Sequence, residues 1–293
     1  MITQQRTMEG QTCLVTGASG GIGKETARAL ARMGATVLIV GRDFYRTQNA
    51  AVEIRAAEPA ARIEVLLGDL SSQREVRRLA DEIGARHPRL DVLVNNAGAV
   101  NAVRRVTEEG VESTIATNHL APFLLTNLLR EPLAAAAPSR VVTVSSYLHK
   151  MVKTIPWRDL QSERQYRSHA VYNLTKLMNV MFTYQLAKRW HSDGVSANCL
   201  HPGWPLRTGL GREEHGSAGL FDRLTKLLAS SAQTGARTSV YLATSPKVEG
   251  VSGRYFTKSR PASSSRLSHD EAAAEQLWDL SARLCGTEMS AFA

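Results

Sequence analysis

Tyr172 and Lys176 stand four residues apart, a spacing that puts two side chains on one face of a helix. A tyrosine hydroxyl, with an ordinary pKa near ~10, carries protons poorly at neutral pH, and a neighbouring ammonium favours its phenolate. The pair therefore has the makings of a general acid/base. The same spacing recurs at Tyr184 and Lys188. Twelve residues of helix correspond to about 18 Å and about 120° of rotation, so the two pairs cannot serve one site. In open α/β sheets ligands bind at the carboxyl ends of the strands, where a crossover helix begins. Tyr172 lies at the start of its helix and Tyr184 near the end, so the chemistry is assigned to Tyr172 and a structural place to Tyr184. Ser146 ends a strand at that same edge, where its hydroxyl can hydrogen-bond a substrate carbonyl oxygen, while strand alternation turns its neighbour Ser145 the other way.

A second constellation is the run Thr16-Gly17-Ala18-Ser19-Gly20-Gly21-Ile22-Gly23, placed between an apolar run and a helical period. Glycines there permit a tight turn and close approach of the backbone to a pyrophosphate, and the helix N-terminus presents free N–H groups to the anion. Further on, the sequence reads Val40-Gly41-Arg42-Asp43. Where NAD-binding turns place an acid for the ribose 2′-hydroxyl, this chain has Gly41 and then Arg42, whose guanidinium suits a 2′-phosphate. Arg46, one turn later, can assist.

The elements that must position these groups are legible as apolar runs. Thr12–Thr16, Thr36–Val40, Ile63–Leu67, Leu90–Val94, Val141–Val144, Val195–Leu200 and Val251–Thr257 read as buried strands, rich in Val, Ile and Leu. Helical periods lie between them. In Gln73–Arg86 the apolar Val76, Leu79 and Ile83 fall on one face, with Ser71 or Ser72 as cap. Strand–helix alternation of this kind predicts one α/β domain over residues 1–293, a Rossmann-type doubly wound parallel sheet of about seven strands with helices on both faces. No Pro/Gly/Ser-rich linker divides it. The one low-complexity stretch, Arg260–Ser268, follows the last strand.

Composition narrows the function. Hydrophobic residues make up 43% and charged residues 22% of 293, which is globular and not disordered. The start of the chain is polar, so no membrane anchor and a cytoplasmic location are expected. Three separated cysteines, Cys13, Cys199 and Cys285, form no disulfide or zinc pattern, and no histidine spacing makes a metal site. Lys plus Arg (36) exceed Asp plus Glu (27), for a net charge of +9. The basic residues are scattered over helix faces without interleaved aromatics, so no nucleic-acid partner is expected.

The turn spacing, Gly17-x3-Gly21-x-Gly23, resembles that of the short-chain dehydrogenase/reductase family. Later motifs follow in the family's order: Asn95-Asn96-Ala97-Gly98, Asn118 in Thr117–Phe123, Ser145-Ser146, Tyr172–Lys176 and His201-Pro202-Gly203. The segments GIGKETA, NHLAPFLLT and VVTVSSYLH, with Gly253–Phe256 and Leu277-Trp278, are most similar to the retinol-dehydrogenase-like branch, so the resemblance covers nearly the whole chain. It implies Asn118, Ser146, Tyr172 and Lys176 as the catalytic set, with Asn118 supporting a proton-relay water. It implies cofactor contacts at Gly17, Ser19, Gly20, Gly21, Ile22, Gly23, Arg42, Asp69, Leu70, Asn95, Asn96, Ala97, Gly98, Tyr172, Lys176, Pro202, Gly203 and Thr208. It also implies a homodimer or homotetramer.

Two departures stand out. Ser146 precedes Tyr172 by 26 residues, where the family usually has about a dozen, and the branch carries a similar insertion, here about residues 150–169. The nicotinamide-holding threonine usually comes fourth after the glycine, whereas here Arg207 is fourth and Thr208 fifth, with Pro205 inserted. The insertion and residues 204–230 are expected to cover a substrate pocket, with His149 and Trp204 as lining residues. His201 is expected to make a structural hydrogen bond. The expectation is an NADP(H)-dependent oxidoreductase interconverting an alcohol and an aldehyde or ketone on a hydrophobic small molecule. A non-catalytic NADP(H)-binding regulator is one alternative, and a tailoring enzyme for dehydration or epimerisation is another.

Overall fold

The computed structural model describes residues 7–203 and 231–286. The strands are β1 (Thr12–Thr16), β2 (Thr36–Gly41), β3 (Arg62–Leu67), β4 (Val92–Asn95), β5 (Ser139–Val144), β6 (Val195–His201), β7 (Arg254–Thr257) and β8 (Arg260–Pro261). They form one sheet in the order β3-β2-β1-β4-β5-β6-β7-β8, parallel except for the last pair. The helices are α1 (Gly21–Arg32), α2 (Phe44–Ala57), α3 (Gln73–Arg86), α4 (Ser113–Ile115), α5 (Ala121–Leu128), α6 (Arg130–Ala135), α7 (Ser168–Arg189), α8 (Ala232–Thr244) and α9 (Glu271–Leu284). A π turn over Ala116–Leu120 joins α4 to α5.

Strand alternation explains the two cores. Leu14, Leu38, Val40, Leu93 and Val141 face the layer of α3, α5, α7 and α9, whereas Cys13, Val15, Val37, Ile39 and Val94 face α1, α2 and α8. Both faces are covered, which is why the strands read as unbroken apolar runs. Each fully buried Leu or Ile contributes roughly 1.5–3 kcal/mol of transfer free energy. The caps follow the sequence. Ser72 accepts from the Glu75 amide to start α3, and Asp43 accepts from the Arg46 amide to start α2.

The sequence reading and the fold differ at one edge. β7 is shorter than the run 251–257, because Gly253 turns at φ 68° and its amide already bonds Ala197 O at 2.8 Å. An eighth strand, unexpected in a serine-rich stretch, arises from a two-residue hairpin. Lys258 and Ser259 both take positive φ (49° and 57°), and Thr257 pairs antiparallel with Arg260. The low-complexity segment is thereby tied into the fold.

The last helix, α9, closes the outer face of α5 and α7. Trp278 packs edge-on against Phe123 at 4.9 Å and stacks on Phe182 at 5.9 Å between ring centroids. Ser281 Oγ meets His119 Nε2 at 2.8 Å, and burial pushes that imidazole down to about 4, so it is neutral at physiological pH. Among the described residues no helix is long and apolar enough to cross a membrane.

Candidate active site

The strand order reverses between β1 and β4, and the loops leaving those two strands touch. Thr16 Oγ1 donates to Val94 O and accepts from the amides of Asn96 (3.0 Å) and Ala97 (3.1 Å). Asn96 Nδ2 in turn donates to Thr16 O at 2.8 Å. A Cβ on Gly17 would stand 2.8 Å from Ala97 Cα, and one on Gly23 only 2.4 Å from Asn96 Nδ2, so neither position admits a side chain. The N-terminus of α1 begins at Gly20 with no side-chain cap, unlike α2, α3, α8 and α9, which are capped by Asp or Ser. Amides left open over a glycine cradle at a switch point fit a pyrophosphate. Ser19, Gly20, Gly21 and Ile22 form this cradle and the first turn behind it.

The adenosine side is built around Gly41. A Cβ there would lie 2.2 Å from Thr47 Oγ1 and 3.2 Å from Ser19 Cβ, so β2 must end in glycine for α2 to dock. Arg42 and Arg46 are exposed beside it. A Cβ on Gly20 would come 3.8 Å from the Arg46 guanidinium, which therefore reaches over the turn. Asp69 spends its Oδ1 on the amide (2.9 Å) and hydroxyl (2.8 Å) of Ser71. Two expected cofactor residues have only their main chain to offer. Leu70 belongs to the core, and Asn95 is buried with Nδ2 bonded to Thr126 Oγ1 at 2.9 Å, so neither side chain reaches the groove.

Across the groove, α7 brings Tyr172 and Lys176 to the ends of β5 and β6. Lys176 is buried, and its Nζ donates to Val144 O at 3.1 Å and lies 5.4 Å from the centre of the Tyr172 ring. A Cβ on Gly98 would stand 3.6 Å from both Lys176 Nζ and Asn118 Oδ1, which places Gly98 between them. The Ser146 hydroxyl stands close enough to the Tyr172 hydroxyl to favour its phenolate. Ser146 Oγ accepts from the Leu148 amide at 3.2 Å, leaving its own hydrogen to donate. Burial pushes the Tyr172 hydroxyl up to about 12, with the Ser146 hydroxyl pulling the other way, and pushes Lys176 down to about 8. Burial therefore works against the lowering of the Tyr172 hydroxyl that the spacing predicts.

Three further residues are held as follows. The Asn118 amide is committed at both ends. Oδ1 accepts from Ala99 N at 2.7 Å, and Nδ2 donates to Ala99 O (2.9 Å) and Thr175 Oγ1 (3.1 Å). Asn118 therefore acts as a brace between the loop after β4 and the tyrosine helix. His149 is no lining residue. It is fully buried, with Nδ1 at 2.6 Å from Ser146 O and Nε2 accepting from Ser265 N at 3.0 Å. His201 is buried, and its Nδ1 finds no hydrogen-bond partner among the described residues.

The insertion is fastened down. Tyr166 Oη donates to Asn101 O at 2.8 Å, Arg104 Nε donates to Gln161 O at 3.0 Å, and Ile155 and Leu160 enter the core. Tyr147 and Met151 remain exposed on the turn following Ser146, as does Val103 on the facing loop. Pro202 and Gly203 follow β6 directly, while Trp204 and Thr208, with the segment 204–230, lie outside the described residues.

Sequence reasoning missed two hydroxyls. Ser145 Oγ donates to Lys176 O at 2.7 Å, pinning α7 to the end of β5. Thr175 Oγ1 donates to Tyr172 O at 2.7 Å while receiving the Asn118 amide. Thr175, three residues after Tyr172 and beside Lys176, is where a hydroxyl bonds back along a helix, and that position was the available signal.

With this geometry in hand, the comparisons are informative. The pattern of the family described as short chain dehydrogenase matches residues 11–216. Retinol dehydrogenase 14 from Mus musculus is 42% identical over 292 residues, covering 95% of this chain and 87% of its own. Human retinol dehydrogenase 12 is 40% identical, with the same two coverages. Among solved structures, an uncharacterised protein from Mycobacterium paratuberculosis superposes with a TM-score of 0.77 at 33% identity, over 97% of this chain and 96% of that one. A protein from Beutenbergia cavernae, described as an NAD(P)-dependent gluconate 5-dehydrogenase with bound NADP at low occupancy, superposes at 0.69 with 26% identity, over 86% and 96%.

Proposed function

The chain belongs to the short-chain dehydrogenase family, and on that footing we propose that it interconverts an alcohol and an aldehyde or ketone on an apolar small molecule, using NADP(H) and Tyr172 as general acid/base. Membership makes it an oxidoreductase acting on a CH–OH group, homologous to the retinol dehydrogenases. The observation that carries the finer reading is the convergence of Ser146, Tyr172 and buried Lys176 at the edge where the uncapped α1 turn also opens.

The nicotinamide cofactor, when bound, supplies or accepts the hydride. The chain's own residues handle the oxygen. Ser146 donates its hydroxyl hydrogen to the substrate oxygen, and the Tyr172 hydroxyl gives that oxygen a proton in reduction or takes one in oxidation. The Lys176 ammonium offsets phenolate charge in Tyr172. Arg42 and Arg46 are the side chains that would face a 2′-phosphate, each charge-assisted bond being worth ~1.5–3 kcal/mol. The exposed Val103, Tyr147 and Met151 support an apolar substrate.

We further propose a cytoplasmic protein, and a homodimer or homotetramer, as readings of the sequence and the family. The test of the reaction is steady-state oxidation of NADPH and NADH with nonanal and related apolar aldehydes, followed at 340 nm. NADPH should be preferred by roughly 10- to 100-fold in kcat/KM, since ~1.4 kcal/mol is a factor of ten. A preference for NADH would overturn the cofactor reading, and no turnover with any aldehyde, ketone or alcohol would overturn the reaction.

A further inference from the structure

Three features stand outside the reaction as described: the serine-rich segment 260–268, Tyr184 with its hydroxyl, and the buried His149. They are joined. Ala262 N donates to Tyr255 O at 2.8 Å, continuing the hairpin. Ser264 Oγ lies 2.8 Å from Tyr184 Oη and 2.8 Å from His269 Nε2, and Ser268 Oγ donates to Ser264 Oγ at 2.8 Å. Ser265 N then donates to His149 Nε2, which is 116 positions away in sequence. The segment is a strap, held at one point by the far end of α7 and at another by the ring behind Ser146.

The partners of His149 fix its chemistry. Ser265 offers an N–H, so Nε2 must present a lone pair, and the Ser146 carbonyl can only accept, so Nδ1 must carry the hydrogen. The same carbonyl also takes the His149 amide at 3.2 Å. Two donors on one carbonyl set the peptide plane of Ser146, and that plane aims the hydroxyl. We propose that His149, locked as the neutral Nδ1–H tautomer by the Ser265 amide, is a positioning residue through which the strap 260–269 holds Ser146 in register with Tyr172. This rests on the reaction proposed above and assigns that site a distant support.

A second proton on Nε2 would face the Ser265 N–H and break the bond, so acid uncouples the strap. The titratable groups facing the ring are Lys150 on its own turn, His201 at the end of β6 and Tyr255 on β7, 4.9 Å away between centroids. Lys150 disfavours a charge there, as does burial, and together they keep the imidazole below its ordinary 6.5 against the pull of the Ser146 carbonyl. The acid limb therefore falls on the low side of that value.

Ser265 has φ −73°, which proline tolerates, so Ser265→Pro deletes the N–H with little backbone change. Ser265→Ala keeps the N–H, loses only the hydroxyl cap on Ser268 N, and serves as its reference. With NADPH and nonanal, Ser265→Pro is expected to lower kcat about 10-fold relative to Ser265→Ala, with KM for NADPH unmoved. His149→Asn, which keeps an amide donor near Ser146 O, should lose the acid limb that His201→Phe retains. Equal kcat in the two Ser265 variants, or an acid limb surviving in His149→Asn, overturns the proposal. Independently of turnover, 15N NMR of labelled histidine, with His149 assigned by its disappearance in His149→Asn, should show the neutral Nδ1–H form at neutral pH. The Nε2–H form or a cation would overturn the proposal even in an active enzyme. The Nδ1–H form in a protein without turnover would fault the reaction alone.

Discussion

The two ends of α7 carry the same pair of side chains and are different places. At the first, Lys176 is buried with its Nζ on the Val144 carbonyl, and the Tyr172 hydroxyl meets a serine at the mouth of the groove. At the second, Lys188 is exposed and 3.7 Å from Glu271. The Tyr184 hydroxyl lies 2.8 Å from Ser264 Oγ, and its ring stacks on His269 at 5.1 Å between centroids. Burial pushes both tyrosines up to about 12, so a raised hydroxyl does not separate them. What separates them is the lysine. One ammonium is buried against a backbone carbonyl, while the other is exposed and paired with a carboxylate. Spacing supplies a candidate, and the environment selects it.

The sharpest way to break this contrast is to remove each hydroxyl. Tyr172→Phe should lower kcat by about 1,000-fold, within the usual range for a general acid/base, while leaving cofactor affinity nearly intact. Tyr184→Phe should keep most activity, since its loss falls on the strap. Stopped-flow turnover and NADPH fluorescence titration measure both, and similar losses in the two variants would erase the distinction.

Next in size is cofactor choice. Arg42→Ala with Arg46→Ala should shrink the NADPH preference by about 10-fold or more. Converting Gly41 to Asp, the substitution that sequence logic recommends for a switch to NADH, meets Thr47 Oγ1 in this fold. Gly41→Asp alone should cost about 1–3 kcal/mol of stability through overpacking, and Gly41→Asp with Thr47→Ala should recover much of it. Thermal melts with kinetics on both cofactors check this.

A smaller effect tests the brace. Thr175→Val removes the bonds to Tyr172 O and from Asn118, leaving a buried amide short of one partner. A fall of about 10-fold in kcat and about 1–3 kcal/mol in stability is expected, read from kinetics and urea unfolding.

The pH signature of Lys176 changes stability alone. Its folded value of about 8 lies below its ordinary 10.5, so between them the unfolded chain binds more protons. Stability relative to Lys176→Met should therefore rise with pH across that window. Paired melts from pH 7 to 11 decide it, and a flat difference for Lys176 would contradict its buried state.

How much of this was legible depends on the range of the interaction. The strand Thr12–Thr16 and the helix Gln73–Arg86 coincide with the sequence reading because apolar periodicity and a Ser cap are local. Tyr172 was separable from Tyr184 because topology fixes which end of a crossover helix meets the site. The commitments of Asn118 to Ala99 and Thr175 were not legible, because an amide's partners across a fold leave no periodic trace. The same holds for His149, whose partner Ser265 sits in a stretch that reads as low complexity, and for Gly41, whose need for glycine comes from Thr47 packing on it. His149 looked like a pocket residue by its closeness to Ser146 and proved to be held behind it.

The most direct test of the account uses NADPH deuterated at the transferable C4 position, nonanal, and a single turnover, with the product alcohol weighed by mass spectrometry. Wild type and Tyr184→Phe should deliver deuterium to the alcohol at similar rates. Tyr172→Phe should bind the cofactor and deliver about 1,000-fold more slowly. Deuterium transfer by Tyr172→Phe at the wild-type rate would show that the proton comes from elsewhere, and that the two ends of α7 differ in surroundings but not in chemistry.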